Sequence, residues 1–257
     1  MVDPSGRPED GARTLVVTGA SRGIGAAVAC RAAAAGWDVV IAYRHRCAQA
    51  QAVVDGIRGR GRRADAVQAD VSDPAQVVRL FAEVDRFGGF AGLVNNASVT
   101  GGLATVEEVR PEQVREAFAT NVDGTILCTQ AALRRLGHRH GGRGGVIVNI
   151  SSTAARTGGT GEWVHYAASK AAVNCFTVGA AREAAGDGVR IVAVAPGLVM
   201  TDLHADNGVP DRPERLAPTV PAGRAGTPAE IANAVVWALS EEASYLVGSV
   251  IEVGGGR

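Results

Sequence analysis

The sequence is that of an α/β protein, a doubly wound parallel sheet with helices on both faces. Strand-length apolar runs alternate with longer helical patterns from Thr14 to Val253. Most of these runs are continuous Val/Ile/Leu rather than apolar–polar alternations, the pattern of strands buried on both faces. With 46% hydrophobic and 20% charged residues, the 257-residue chain has material for a large core. A chain of this size buries about 70–75% of its unfolded surface.

In chain order, strands are expected at Thr14–Thr18, Asp38–Tyr43, Ala64–Gln68, Gly92–Asn95, Val146–Ile150, Arg190–Ala195 and Val250–Val253. Helices are expected at Gly23–Ala35, Ala48–Arg60, Pro74–Phe87, Pro111–Leu136, Val164–Ala185 and Pro228–Glu241. Asp73-Pro74 and Thr227-Pro228 each set a capping side chain before a first-turn proline, and Gly36 and Gly186 follow last helical residues. Right-handed crossovers join such units into one layered sheet. No internal repeat or linker divides the chain, so residues 13–257 read as a single domain and residues 1–12 as a flexible N-terminal tail. The rhythm breaks once. Five of the ten prolines lie between Pro210 and Pro228, and the irregular stretch around residues 198–222 is expected to form a substrate lid.

Charge excludes several partners. The 26 Lys+Arg balance 26 Asp+Glu, and neither nucleic acid nor an anionic membrane surface is favoured without a basic excess. The richest apolar stretch, Ile24 to Trp37, is interrupted by Arg31 and is too short to span a bilayer. Cys30, Cys47, Cys128 and Cys175 form no CxxC pair, and three of them lie in alanine-rich helical patterns where a thiol acts as a small apolar group. His138-Arg139-His140 has no carboxylate or third histidine nearby and reads as a basic surface loop. No metal site is expected, and a reducing cytoplasm is the expected location.

The first strand runs into Thr18-Gly19-Ala20-Ser21-Arg22-Gly23-Ile24-Gly25 and then a helix. Glycines at 19, 23 and 25 permit a tight turn, close approach to a pyrophosphate and helix–strand packing, while the helix N-terminus offers free N–H groups. A glycine trio alone is weak evidence. Its place at a strand-to-helix junction makes it a nucleotide site. An NAD site carries an acidic side chain at the end of the second strand, on the ribose 2′-hydroxyl. Here Tyr43 stands 18 residues after Gly25, followed by Arg44, His45 and Arg46. Two guanidiniums and no carboxylate favour the 2′-phosphate of NADP(H), with Arg22 as a further contact. The plainer reading of these arginines is a solvated loop face.

Tyr166 and Lys170 lie four residues apart on one helix and share a face. A phenol with a pKa near 10 exchanges protons at neutral pH only if its anion is stabilised, and bringing it to about 7 requires roughly 4 kcal/mol from Lys170 and a bound cation together. The strand Val146–Ile150 ends in Ser151-Ser152, at the sheet edge where open α/β folds bind ligands. Ser152 is the expected carbonyl-orienting hydroxyl, with Ser151 as the alternative. Asn121 sits mid-helix, where asparagine is poorly favoured; it is either a water-holding residue or a helix-bending one satisfied by backbone. Trp163 and His165 either line the pocket or pack beneath it, and Leu203 and His204 are pocket candidates in the lid.

In this order and spacing, TGASRGIG at 18–25, Asp70-Val71, Asn95-Asn96-Ala97, Asn121, Ser152, YxxxK at 166–170 and Pro196-Gly197 with Thr201 resemble the short-chain dehydrogenase/reductase family. The resemblance covers the chain from Arg13 onward. It implies a Rossmann-type sheet of seven strands in the order 3-2-1-4-5-6-7. It also implies a Ser152/Tyr166/Lys170 triad completed by Asn121, with Lys170 on the nicotinamide ribose. Gly19, Ser21, Arg22, Gly23, Ile24, Gly25, Tyr43 and Arg44 would then hold the phosphates and adenosine end. Asp70 and Val71 fall near adenine, Asn95 by the ribose and Thr201 near the carboxamide, with Ala97, Pro196, Gly197 and Val199 as further cofactor-binding residues. Ser98 departs from the family's usual glycine, and the Ser152-to-Tyr166 spacing is one residue longer than the commonest pattern. The segment SSTAARTGGTGEWVHYAASK resembles the glucose/ribitol-type branch, and the whole is similar to 3-oxoacyl-carrier-protein reductases.

The expected function is an NADP(H)-dependent oxidoreductase acting on CH–OH groups, interconverting a carbonyl and a secondary alcohol, with Tyr166 as general acid/base. A small-molecule substrate is the expected partner, and the resemblance implies a homotetramer, or a dimer, joined through the faces of Pro111–Leu136 and Val164–Ala185. One rival is a non-catalytic NADP(H) sensor, which needs the glycine loop but not the catalytic side chains. Another is carbon–carbon double-bond reduction, for which a YxxxxxxK spacing would be the signal.

Overall fold

The computed structural model describes residues 13–257; the expected tail at residues 1–12 lies outside them. Seven strands form one sheet: β1 (Arg13–Thr18), β2 (Trp37–Tyr43), β3 (Ala64–Gln68), β4 (Phe90–Asn95), β5 (Gly145–Ile150), β6 (Val189–Pro196) and β7 (Val250–Val253). Their spatial order is β3-β2-β1-β4-β5-β6-β7, and every pairing is parallel. Each expected strand is present within two residues of its expected start and one residue of its expected end. The helices are α1 (Gly23–Ala34), α2 (Cys47–Arg58), α3 (Pro74–Phe87), α4 (Pro111–Phe118), α5 (Gly124–Leu136), α6 (Ala154–Thr157), α7 (Val164–Ala184), α8 (Leu203–Asp206), α9 (Arg212–Leu216) and α10 (Pro228–Leu239).

Both sheet faces are covered, which explains the continuous apolar runs. Alternate residues of one strand serve opposite cores. Leu15 and Val17 pack with Val28 of α1, Val54 of α2 and Val235 of α10. Val16 packs on the other side with Leu80 and Phe81 of α3, Cys128 of α5 and Ala181 of α7. At β1 the strand order reverses, β2 lying on one side and β4 on the other. The crevice at the carboxyl ends of these strands is where such sheets bind ligands.

Local signals account for some of the helix ends. Asp73 accepts hydrogen bonds from the N–H groups of Ala75 and Gln76, and Thr227 with Glu230 forms a capping box at the start of α10. Gly36 takes a left-handed φ of 92° after α1, as expected. After α7 the left-handed residue is Gly188, with φ 73°, while Gly186 lies within a short 3-10 turn over Ala185–Asp187.

The expected continuous helix from Pro111 to Leu136 is interrupted by a π-helical turn at Ala119–Asp123 that contains Asn121. Of the cysteines, only Cys128 is buried; Cys30 is half-buried, and Cys47 and Cys175 are exposed. The alanine-rich context of Cys175 therefore misled, because it lies on the outer side of α7.

A buried polar network ties the floor of the crevice together. Asn95 Nδ2 donates to Asn149 Oδ1 at 2.9 Å and to Thr129 Oγ1 at 3.0 Å, and Asn149 Nδ2 donates to Thr177 Oγ1 at 2.9 Å. This chain links β4, β5, α5 and α7 where water is excluded. Replacing Asn149 with Ala removes two of its bonds and should destabilise the fold by about 1–3 kcal/mol. The denaturant midpoint should fall at unchanged slope.

Candidate active site

The glycine loop is shaped by contacts that leave no room for side chains. Gly19 has a φ of 62°, and a Cβ there would stand 2.8 Å from Ala97 Cα; one on Gly25 would stand 2.5 Å from Asn96 Nδ2. Asn96 holds the loop directly, its Nδ2 donating to the carbonyls of Thr18 at 2.9 Å and Gly19 at 3.0 Å. Thr18 Oγ1 in return accepts from the N–H groups of Asn96 and Ala97, both at 3.0 Å. The first turn of α1 has no capping side chain, so its N–H groups are left for a ligand.

From this loop a cavity of about 950 Å³ runs along the sheet edge. Its walls include Gly19, Ser21, Arg22, Gly23, Ile24, Arg44, Asp70, Val71 and Ala97 at one end. Ser152, Tyr166, Lys170, Pro196, Gly197, Val199 and Thr201 line the other. Residues expected from widely separated motifs thus share one space. Four are placed elsewhere. Gly25 is a packing position, as its contacts show. The Tyr43 hydroxyl donates to Cys47 Sγ at 3.3 Å, Asn95 faces the buried network, and Asn121 is fully buried behind the wall. The Asn95 amide N–H groups are engaged inside the core, while its Oδ1 has no partner among the described residues.

Asn121 is satisfied by its neighbours. Its Nδ2 donates to the Val99 carbonyl and to Ser169 Oγ, both at 2.9 Å, and its Oδ1 accepts from Val99 N at 2.9 Å and Ser98 Oγ at 3.0 Å. The π turn aims the side chain at this loop, and the amide pins residues 98–99 against α7. No side-chain group of Asn121 remains to hold water.

Burial governs the titrating pair. It pushes the Tyr166 phenol above its ordinary range, outweighing hydrogen bonding from Ser152 and Ser98 and the field of Arg212, which pull it down. Burial also drives the Lys170 ammonium down to about 7. Lys170 Nζ lies 5.7 Å from the Tyr166 ring centre and donates to the Ile150 carbonyl at 2.8 Å. Burial thus acts against the expected lowering of the phenol by Lys170. Ser151, the alternative hydroxyl, donates to the Lys170 carbonyl at 3.2 Å and so is engaged in packing; Ser152 is the one acting on the phenol.

The segment between β6 and α10 closes over both ends of the cavity. Arg212 of α9 lies over the Trp163 ring at 4.3 Å and contacts Glu162 at 2.5 Å, while Trp163 stacks on His204 of α8. His204 Nε2 lies 3.0 Å from the Val199 carbonyl, which can only accept, so Nε2 carries the proton. Asp206 at the end of α8 accepts from Arg22 and from Arg46, the latter at 3.1 Å, and Asp202 lies 3.3 Å from Arg22. The hydrogen bond from Arg22 holds the Asp206 carboxyl below its usual range. Arg44 pairs with Asp70 at 3.0 Å. Sequence reading missed Asp206, Arg212 and Glu162 because each acts across 50 or more residues, and it quoted Asn96 within a motif without giving it a role. Lys170 had an unused signal: it is the sole lysine among 26 basic residues. Among the described residues no group of three or more His, Cys, Asp or Glu side chains is arranged to hold a metal.

A family model described as enoyl-(acyl carrier protein) reductase matches residues 19–257. An uncharacterised oxidoreductase of Escherichia coli, YgfF, is 42% identical over 94% of this chain and 98% of its own length. The 3-oxoacyl-[acyl-carrier-protein] reductase FabG of Staphylococcus aureus is 35% identical over 95% of this chain and 97% of its own. Among solved structures, a Burkholderia cenocepacia short chain dehydrogenase in complex with NADP superposes with a TM-score of 0.84. It is 36% identical and covers 95% of this chain and 97% of its own. The fold and these matches define an oxidoreductase. The chain belongs to the short-chain dehydrogenase/reductase family.

The depressed Lys170 ammonium has a consequence for stability. Between pH 7 and about 9 the unfolded chain binds a proton here that the folded chain does not, so stability should rise with pH across that window; above it the buried Cys128 thiol, pushed up to about 12, keeps a proton that the unfolded thiol loses and offsets the rise. The Lys170→Met variant should lack this rise. Nitrogen-15 labelling of lysine gives a single side-chain signal whose titration midpoint reads the amine directly.

Proposed function

We propose that this chain is an NADP(H)-dependent oxidoreductase that interconverts a carbonyl and a secondary alcohol. The observation that carries the reading is the convergence of Ser152, Tyr166 and Lys170 with the glycine loop on one crevice. The residues fit a dinucleotide: Cβ-free glycines, uncapped N–H groups and three arginines stand at one end of the cavity. Asp70, Val71 and Ala97 would flank the adenosine half, and Pro196, Gly197, Val199 and Thr201 the nicotinamide half. When bound, the nicotinamide supplies or takes up the hydride.

Tyr166 holds the proton. Its raised pKa keeps the phenol protonated at neutral pH, the form needed to protonate the oxygen of a carbonyl under reduction. Ser152, acting on the same phenol, is the group that orients and polarises that oxygen. Lys170 anchors to the Ile150 carbonyl, which fixes its amine beside the phenol and toward the cofactor end. Asn121 is a positioning residue for the loop at 98–99. The segment over residues 198–222 serves as a lid, Arg212 and Trp163 forming its contact with the substrate end. Self-association through the α4–α5 and α7 faces and a cytoplasmic location belong to the same reading, the first measurable by sedimentation.

A second reading draws on the description of the matching family model, reduction of a carbon–carbon double bond. The three-residue gap between Tyr166 and Lys170 speaks for the carbonyl reaction. A panel of ketones, enoyl thioesters, secondary alcohols and polyols with both cofactors separates the readings, and a chain that binds cofactor without any turnover is a sensor.

Tyr166→Phe should lose at least about a hundredfold in turnover while NADPH affinity changes little. In the wild type, reduction should stay level through neutral pH and decline in alkali as the phenol ionises, whereas oxidation should rise with pH. Retained turnover in the phenylalanine variant would refute the role.

Cofactor choice has its own test. Arg44→Ala should weaken NADPH binding about 10–100-fold and leave NADH nearly unaffected, the range of a lost charge-assisted pair. Asp206 now neutralises Arg22 and Arg46, so Asp206→Asn should tighten NADPH and not NADH. Fluorescence titration of the reduced cofactors reads both.

A further inference from the structure

Helix α8 is a single turn, Leu203–Asp206, yet it is tied to both ends of the crevice. Asp206 accepts from Arg22 of the glycine loop and from Arg46 beyond β2, the latter at 3.1 and 3.4 Å. Asn207, the next residue, accepts from Thr100 Oγ1 and donates to the Leu203 carbonyl at 2.7 Å. His204 stacks on Trp163 with ring centres 6.1 Å apart. Thr100 belongs to the loop that Asn121 pins at Val99 by two bonds of 2.9 Å. One helical turn therefore joins the arginines at the glycine-loop end to the loop and rings at the substrate end.

The ties differ in kind. At the substrate end they are neutral hydrogen bonds and ring packing, with Thr100, Trp163 and His204 all buried. At the glycine loop they are ion pairs, in which Asp202 and Asp206 face Arg22 from positions 64% and 39% exposed. Carboxylates so placed return to water with little loss. They also leave a donor unused. Arg22 Nη1 is buried, lies 3.3 Å from Asp202 Oδ2, and makes no hydrogen bond among the described residues. A phosphate monoester has three acceptor oxygens and close to two negative charges, so it can engage that N–H together with Arg46. A dianion on these guanidiniums repels a carboxylate bound to the same groups, and one of the two anions must leave.

We propose that α8 is a strap latched shut by Asp206, and that a phosphate monoester on Arg22 and Arg46, the group that distinguishes NADP(H) from NAD(H), unlatches it. No covalent bond changes; one anion replaces another on the arginines, and the Asp206 carboxylate goes to water. With that tie gone, the turn keeps only its neutral contacts, and the stretch carrying His204 and Asn207 loosens over Trp163 and Thr100. Latch and ligand share one equilibrium, so the phosphate binds more weakly to the latched chain by the same factor by which it favours release. This rests on the cavity being the NADP(H) site of the proposed function.

The test is hydrogen exchange at the amides of Asp206, Asn207 and Gly208, which bond within the turn to the carbonyls of Asp202, His204 and Ala205 at 2.9, 3.2 and 3.0 Å. Wild type, Asp206→Ala and Asp206→Glu are compared free, with adenosine 2′,5′-bisphosphate and with 5′-AMP, at one ionic strength and corrected for intrinsic rates. The alanine variant should exchange about 3–10-fold faster than wild type without ligand, the range set by partly exposed ion pairs, and the glutamate variant should be slow again. In the wild type the bisphosphate should give the same acceleration and 5′-AMP none, while the alanine variant should not respond. Trp163 emission, with Trp163→Phe as blank, should change in parallel. Slow exchange in free Asp206→Ala, or an equal response to the two nucleotides, would overturn the latch. Equal release by inorganic phosphate at the same concentration would overturn its assignment to the cofactor. Release by the bisphosphate in a chain that turns over no substrate with any nicotinamide cofactor would instead overturn the proposed function and leave the latch standing.

Discussion

Removing water from one phenol and one amine governs the behaviour of this molecule. Tyr166 and Lys170 lie at the wall of a crevice where both ionised forms are penalised, and both titrations move toward neutrality as a result. The sheet makes this environment. Strands buried on both faces force their ends to meet at one edge, and helix α7 brings the two side chains to that edge on a single turn. The network of Asn95, Asn149, Thr129 and Thr177 holds the layers beneath it without admitting water. Chemistry at this edge is a matter of who compensates a buried charge and when.

The compensating groups come from three directions. Ser152 and Ser98 act by hydrogen bonding, Arg212 acts through its field, and a bound dinucleotide would bring its own charge. None of these is a strong local ion pair to the phenol. Arg212 is largely spoken for by Glu162, and Lys170 by a backbone carbonyl. In the proposed function the phenol is an acid whose anion would be compensated only with a dinucleotide bound. Arg22 and Arg46 follow the same logic at the far end. There a carboxylate of the chain itself, Asp206, stands where an anionic ligand group would otherwise be sought.

Much of this was legible in the sequence. Continuous apolar runs marked the central strands, because burial on both faces leaves no alternation to misread, while the edge strand β3, ADAVQ, is only partly buried. Asp73-Pro74 and Thr227-Pro228 marked helix starts by local chemistry alone. The π turn was not legible: Asn121 reads as a poor helix former whether it bends the helix or holds a ligand, and only its four partners decide. Asn95 carried the motif but faces the core, since a strand's last residue can point either way and the pattern does not say which. Asp206, Arg212 and Glu162 were invisible for another reason. Their partners lie across the cavity in an irregular segment, where no period relates one residue to the next. Ser98 was noticed only as a departure, and its bond to Asn121 joins residues 23 apart in the chain.

The concentration of basic charge in arginine has a practical corollary. Twenty-six cationic side chains include one lysine, and that lysine is buried in the crevice wall. Coupling reagents that seek primary amines therefore find no lysine side chain on the outer surface of the described fold, while the exposed thiols of Cys47 and Cys175 stand ready as handles. Tethering, dye labelling and cross-linking of this protein are problems for sulfur chemistry, and an amine reagent that does react at a side chain has entered the crevice.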